Sequence, residues 1–209
     1  MNRTQVWRWL FFTGGLFIVS IGIAFTIRGE MLGIGPWDVF HFGLRETVGL
    51  TIGSWSIITG LVIILLTALY LRRWPKIGTW LNMLFLGLFI DLSLLLIPEI
   101  HGAFLSILFF VLGVIIMGIG IAMYISPNVG AGPRDSLMLL LVEKLNWSVN
   151  TARTFMEVVV ALLGWALGGP VGIGAVIIAL GLGTFVQKGL PFYQRLLKQL
   201  VRPEDQHLI

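Results

Sequence analysis

Long apolar runs broken by short polar punctuation organise this chain. Taken at about 20 mostly apolar residues per bilayer crossing, the runs fall at 9–27, 54–71, 77–97, 103–125, 149–167 and 171–190. None shows the two-residue alternation of a barrel strand. Helices are therefore expected, because a backbone in lipid must satisfy its own hydrogen bonds. Two shorter segments, 36–48 and 133–144, lie after the first and fourth runs, and each begins on proline. About ten helical residues reach roughly 15 Å, half a membrane. The segment 133–144 is apolar nearly all round and is expected as a half-helix dipping into the protein. The segment 36–48 carries a narrow polar stripe, Asp38, His41 and Arg45, at i, i+3, i+7. This more amphipathic copy is expected to lie flatter, at the outer interface.

Composition excludes whole classes. Of the 209 residues 57% are hydrophobic and 11% charged, against about 25% charged in a soluble domain, and mean hydropathy is +0.95. A soluble enzyme, a disordered chain and a nucleic-acid-binding domain are excluded, and the lipid bilayer is the expected partner. With no cysteine, disulfides, thiolate chemistry and cysteine-ligated metals drop out. Fourteen Lys and Arg stand against ten Asp and Glu. With the N-terminus inside, eleven of the basic residues (Arg3, Arg8, Arg72, Arg73, Lys76, Arg134, Lys144, Lys188, Arg195, Lys198 and Arg202) fall on the cytoplasmic side. Only Arg28 and Arg45 fall outside, and Arg153 lies within a run. Such a bias orients the chain with both termini cytoplasmic. The first run follows Arg3 and Arg8 as a signal peptide would, yet it is longer than a signal h-region and no Ala-x-Ala site follows it, so a retained anchor is expected.

Comparison of the chain with itself is the informative step. A shift of 97 residues carries Gly33-Ile34-Gly35-Pro36-Trp37-Asp38 onto Gly130-Ala131-Gly132-Pro133-Arg134-Asp135. A shift of 96 carries Gly78 onto Gly174, and Ile21-Gly22-Ile23-Ala24 echoes Ile119-Gly120-Ile121-Ala122. Each copy holds three runs, so the second copy must enter the bilayer from the opposite face. The expected fold is an all-α polytopic membrane protein of six transmembrane helices in two inverted three-helix repeats, each with a half-helix or re-entrant segment. The repeats divide as 1–100 and 101–194, with a polar cytoplasmic tail at 195–209.

These motifs carry a family resemblance. Gly33-x-Gly-Pro36-x-Asp38, Pro75-x-Ile-Gly78-Thr79, Asp91, Gly130-x-Gly-Pro133-Arg134-Asp135, Arg153-x-x-x-Glu157 and Gly168-Gly169-Pro170-x-Gly172-x-Gly174 resemble the bacterial YczE/YyaS/YitT membrane proteins, most closely the YczE branch. The resemblance spans nearly the whole chain and implies the bacterial cytoplasmic (inner) membrane. Small-molecule export is suspected for some members, so it implies architecture more than substrate. One departure is Ala175, where the first copy has Thr79.

Each candidate site has a structural reading and a functional one. In Gly33, Gly35, Pro36, Asp38 and their copies Gly130, Gly132, Pro133 and Asp135, proline at a helix start and an acid capping free N–H groups explain the motif structurally. Functionally, a half-helix N-terminus bared at depth presents N–H groups to an anion or polar substrate. Arg153 and Glu157 stand i, i+4 within a run, either as a bracing ion pair or as substrate-contacting charges, with Arg134 near them. Asp91, late in the third run, is a proton-coupling candidate together with Glu157, or else a cap near the interface. His41, His101 and His207 show no metal-ligand spacing and read as loop and tail histidines.

No Gly-x-x-x-x-Gly-Lys-Ser/Thr loop, His-Glu-x-x-His or Gly-x-Ser-x-Gly occurs, so neither direct ATP use nor an intramembrane enzyme is expected, and no cofactor is called for. The expectation is a secondary transporter or exporter of a small polar or anionic molecule. A passive channel and a non-transporting membrane subunit supporting a partner enzyme stay open as alternatives, as does a homo-oligomer.

Overall fold

The structure, a computed structural model, describes residues 2–208, without the side chains of His207 and Leu208. The reading of His207 as a tail histidine therefore lies outside the described side chains. The described residues form eight α-helices and no strand: α1 (Arg3–Arg28), α2 (Pro36–Val48), α3 (Ile52–Leu71), α4 (Ile77–Leu96), α5 (Ala103–Ile125), α6 (Pro133–Leu145), α7 (Val149–Ala166) and α8 (Ile173–Leu200). Short 3-10 turns follow α1 and α8. The two segments expected as half-helices are α2 and α6, and both begin on proline at the first helical position, where no N–H is needed. Thr51 and Ser148 cap α3 and α7, their hydroxyls accepting from the N–H groups of Ser54 (3.0 Å) and Thr151 (3.1 Å).

Five helices, α1, α3, α4, α5 and α8, are long and apolar enough to cross a bilayer. The outer surface is apolar too. Leu66, Leu69, Leu95, Val111, Leu162 and Leu180 are all exposed, the reverse of a soluble protein's exterior. The sixth expected run is α7, which has 18 residues and carries Arg153 and Glu157, and it is not among those five.

The central seam is the antiparallel pair α1 and α5. A Cβ on Gly15 would lie 2.5 Å from the Tyr124 backbone nitrogen, and one on Gly22 would lie 2.6 Å from that of Met117. From the other side, a Cβ on Gly120 would lie 2.6 Å from the Val19 nitrogen, and one on Gly113 2.8 Å from the Gly22 carbonyl. Gly15 and Gly22 are seven residues apart, as are Gly113 and Gly120. That spacing keeps one face of small residues turned toward a partner helix, and in lipid such close backbone approach takes the place of hydrophobic driving force. Around the seam Val19, Ile23, Phe110, Met117, Ile178 and Leu182 form a buried cluster.

Onto this seam α4 packs against α1, and α8 against α5. The half-helix α2 lies along α7, and α6 along α3. The pairing has one inequality. Helices α3 and α4 pack extensively, whereas α7 and α8 barely meet.

Both termini lie at one end of the bundle. There the Thr4 hydroxyl donates to Asp205 (2.6 Å) and Arg8 donates to the Pro127 carbonyl (3.0 Å). At the other end Arg28 donates to the carbonyls of Leu94 (2.7 Å) and Ile97 (3.0 Å), closing the C-terminus of α4. A cation there meets the negative helix end and its unpaired carbonyls. Arg28→Ala is expected to cost about 1–2 kcal/mol, visible as a lower unfolding midpoint by tryptophan fluorescence in detergent.

Two expectations need correcting. The last helix does not end near residue 190. It continues through Pro191 to Leu200, where Leu197 is buried with Phe11 and Val201, so the region read as a polar tail is packed onto α1. The half-helices also exchange burial. Six residues of α2 are buried, Asp38 and His41 among them, whereas in α6 only Pro133 is. Asp38 and His41 turn inward, while Arg45 stays exposed, because Gly43, Gly164 and Gly169 let the other side of α2 lie directly on α7. Helix α6 is half-buried, since α7 and α8 stand apart beside it.

Candidate functional site

The first turns of the two half-helices face each other inside the bundle. Trp37, the second residue of α2, and Arg134, the second of α6, are counterparts under the 97-residue shift, and the Arg134 guanidinium sits 4.7 Å from the centre of the Trp37 ring. A cation over a tryptophan face is attracted by the ring quadrupole. The guanidinium forms no hydrogen bond or ion pair with any described residue.

Around this contact lies a cavity of about 320 Å3, within the size range of small-ligand sites. Its wall includes both helix starts, Gly35 to Asp38 and Gly132 to Asp135, with Asn82 from α4, Tyr124 from α5, and Arg153 and Glu157 from α7. Asp135 accepts a hydrogen bond from the Gly132 N–H at 3.1 Å, as an acid at a helix start should. Arg153 and Glu157 pair at 3.0 Å on the wall.

The polar groups left unpaired are the informative ones. Asp38, His41 and Asn82 are at most 3% exposed. The Asp38 Oδ1, both ring nitrogens of His41 and the Asn82 Nδ2 have no hydrogen-bond partner among the described residues. Each such buried group costs about 1–3 kcal/mol, and native structures hold few of them. Here they line one cavity, two acceptor-capable side chains on α2 and a donor on α4.

The motif residues therefore separate. Gly35, Pro36, Asp38, Gly132, Pro133, Arg134, Asp135, Arg153 and Glu157 share the cavity wall. Gly33 and Gly130 do not line it. They are spacers, Gly33 (φ +86°) meeting the backbone of Gly172, and Gly130 meeting Gly78 and Thr79. Thr79, which a shift of 96 carries onto Ala175, is buried but also off the wall. Asp91 does not line the cavity and is bonded to Thr51 and to the Gly53 N–H. His41 is a cavity residue rather than a loop histidine, because the stripe it shares with Asp38 faces inward. Sequence reasoning missed Trp37, Tyr124 and Asn82 as site residues. The register that matches Trp37 to Arg134 could have found the first, and Asn82 is a lone amide in an apolar run. Among the described residues no group of three His, Asp or Glu is placed to hold a metal ion.

Comparison with known proteins agrees with the motifs. Residues 6–189 match the family of unknown function DUF6198. The chain is 43% identical to the uncharacterised membrane protein YczE of Bacillus subtilis, covering 96% of this chain and 94% of that one. It is 35% identical to an uncharacterised protein of Haemophilus influenzae (87% and 82% covered) and 26% identical to YyaS of Bacillus subtilis (90% and 94%). No solved structure matches it. The resemblance read from the glycine-proline motifs is thus borne out for YczE and YyaS, and with its apolar exterior and five spanning-length helices the chain is a membrane-embedded, multi-pass member of the DUF6198 family.

Proposed function

We propose that the protein is a secondary carrier that moves a small polar solute, anionic or zwitterionic, across the bacterial cytoplasmic membrane. Its architecture in this reading is six crossings in two inverted repeats, 1–100 and 101–194, with both termini cytoplasmic. Helix α7 supplies the sixth crossing. Its 18 residues reach about 27 Å, Phe155, Val158, Leu162 and Trp165 are exposed as lipid-facing residues would be, and its two charges pair with each other on the cavity wall. The packing supports the inversion: α1 on α4 repeats as α5 on α8, and α2 on α7 as α6 on α3. Two half-helices entering from opposite faces present both N-termini to one chamber, the arrangement by which broken helices bind solutes in inverted-repeat carriers.

The observation that carries this reading is the set of buried, unpaired groups of Asp38, His41 and Asn82 beside the unbonded Arg134. A solute with a carboxylate or phosphate suits Arg134, Asn82 and the helix starts, and one with an added donor also satisfies Asp38 or His41. Thermal unfolding of the purified protein, followed by tryptophan fluorescence against a panel of carboxylates, amino acids and phosphate esters, tests it. A binder raises the midpoint, and in proteoliposomes the same compound is expected to show saturation and counterflow. Conductance without saturation would mean a channel, and no ligand with a co-purifying enzyme would mean a supporting subunit.

His41→Leu is expected to separate stability from function. Removing two unpaired buried nitrogens raises or preserves the ligand-free midpoint, while the response to the stabilising ligand falls about tenfold or more. A lowered ligand-free midpoint would show that His41 has a structural partner. Arg153→Ala and Glu157→Ala are each expected to reduce saturable flux severalfold, since each leaves the other's charge unmatched on the wall. Unchanged flux in both would remove that pair from the transport path.

A further inference from the structure

Of the two repeat-related helix pairs that flank the cavity, α3 and α4 are tied together and α7 and α8 are not. Near the end of α4, Asp91 accepts from the Thr51 hydroxyl at 2.5 Å and from the Gly53 N–H at 2.8 Å, tying α4 to the start of α3. Beneath that tie the two helices are in backbone contact, a Cβ on Gly87 standing 2.6 Å from the Gly53 carbonyl. The repeat supplies a counterpart for every part of the tie. A shift of 97 carries Thr51 onto Ser148 and Gly53 onto Asn150, and a shift of 96 carries Gly87 onto Gly183 and Asp91 onto Gln187. Ser148 caps α7 as Thr51 caps α3. Yet the counterparts are apart. No described atom beyond the helix's own backbone stands within 4 Å of a Cβ on Gly183, and Gln187 is exposed and makes no hydrogen bond with a described residue. Val149, Gly183 and Gln187 instead line the cavity.

We propose that Asp91, Thr51 and Gly53 form the closed outer gate of an alternating-access cycle, and that Gln187 is its cytoplasmic counterpart, closing on Ser148 and the Asn150 N–H when the cavity turns outward. This rests on the carrier reading above. The two gates are the same device with different strength. A carboxylate accepting two hydrogen bonds holds more tightly than a neutral amide in the same place, so the cytoplasm-open form is the resting one. Only a differential interaction of this kind shifts such an equilibrium. Asp91 is on this account a positioning residue that sets which face is open and touches no solute.

The chain has no cysteine, which makes the test direct. A single Ser56→Cys on the cavity wall is labelled with a membrane-impermeant maleimide from either face of oriented vesicles. In the otherwise unaltered chain, labelling is expected from the cytoplasmic face only. Asp91→Asn is expected to raise labelling from the outer face about tenfold. Gln187→Glu, which leaves the outer gate intact, is expected to shift it in the same direction by strengthening the other gate. With Ser148→Cys and Gln187→Cys together, disulfide formation is expected to be slow and to rise severalfold when Asp91→Asn is added. Access confined to the cytoplasmic face in every variant, with no gain in cross-linking, would overturn the gate while leaving ligand binding, and so the carrier reading, intact. Labelling of Ser56→Cys from both faces at once in the unaltered gates would make the protein a channel and overturn both.

Discussion

A chain carrying Gly22→Leu is expected to lose most of its folded population in mild detergent, while one carrying Gly181→Leu folds and elutes as the unaltered protein does. The chemical change is identical, and only the surroundings differ. At Gly22 the first added carbon would already stand 2.6 Å from the backbone nitrogen and from the Cγ of Met117, and 2.8 Å from the Gly113 carbonyl. Backbone cannot move aside as a flexible side chain can, so α1 and α5 must separate, and every contact along the seam is lost with them. A cost above about 4 kcal/mol follows, the range reserved for gross overpacking. At Gly181 an added Cβ would meet no described atom within 4 Å beyond its own helix backbone, and a leucine there adds apolar surface to a helix whose neighbours Ile177 and Leu180 are already exposed. Size exclusion and tryptophan-detected unfolding distinguish the outcomes. Equal behaviour of the two variants would show that the seam is looser than described.

Much of this was legible in the residues because membranes enforce simple rules. Helix ends follow from where apolar runs stop, and α2 and α6 begin at Pro36 and Pro133, where the proline and its preceding glycine mark a helix start. The spacing of Gly33 and Gly130 is what suggests a duplication. Burial was not legible. Which side of α2 turned inward depended on Gly164 and Gly169, more than a hundred residues away, allowing α7 to lie against it. Hydropathy assigned Asp38 and His41 to an interface because local periodicity records that a stripe is polar, not whether it meets water or an enclosed chamber. Asn82 was invisible for a similar reason: a single amide in an apolar helix carries no spacing of its own. The length of α8 was misjudged at Pro191, which breaks a pattern more readily than it breaks a helix supported by tertiary contacts at Leu197.

Arg134→Ala is expected to weaken the stabilising ligand at least about 30-fold, an effect of roughly 2 kcal/mol or more for a charged contact in a desolvated site. Hydrogen bonding within the described residues gives no account of this residue. A cation in the first turn of α6 opposes the positive end of that helix's dipole, and its guanidinium offers five N–H donors that no described residue accepts. What it has is the Trp37 ring at 4.7 Å, on the cavity wall that both residues share. Arg134→Lys keeps the charge without the planar fork or the stack, and is expected to fall between the two. Trp37→Leu removes the ring but keeps the guanidinium, and is expected to cost less ligand affinity than Arg134→Ala while also loosening the packing around Ile63, Met156 and Val160. Binding measured by ligand-dependent unfolding gives the order, and counterflow in proteoliposomes is expected to follow it. Full affinity in the alanine chain would mean that the solute binds elsewhere.

The central claim is that α2 and α6 enter from opposite faces and meet inside. Single cysteines at Leu50, just beyond α2, and at Asn146, just beyond α6, both exposed, test it most directly with an impermeant thiol reagent on intact cells and on inverted vesicles. The account predicts that Leu50→Cys reacts only from outside and Asn146→Cys only from the cytoplasm. Reaction of both from the same compartment would contradict it.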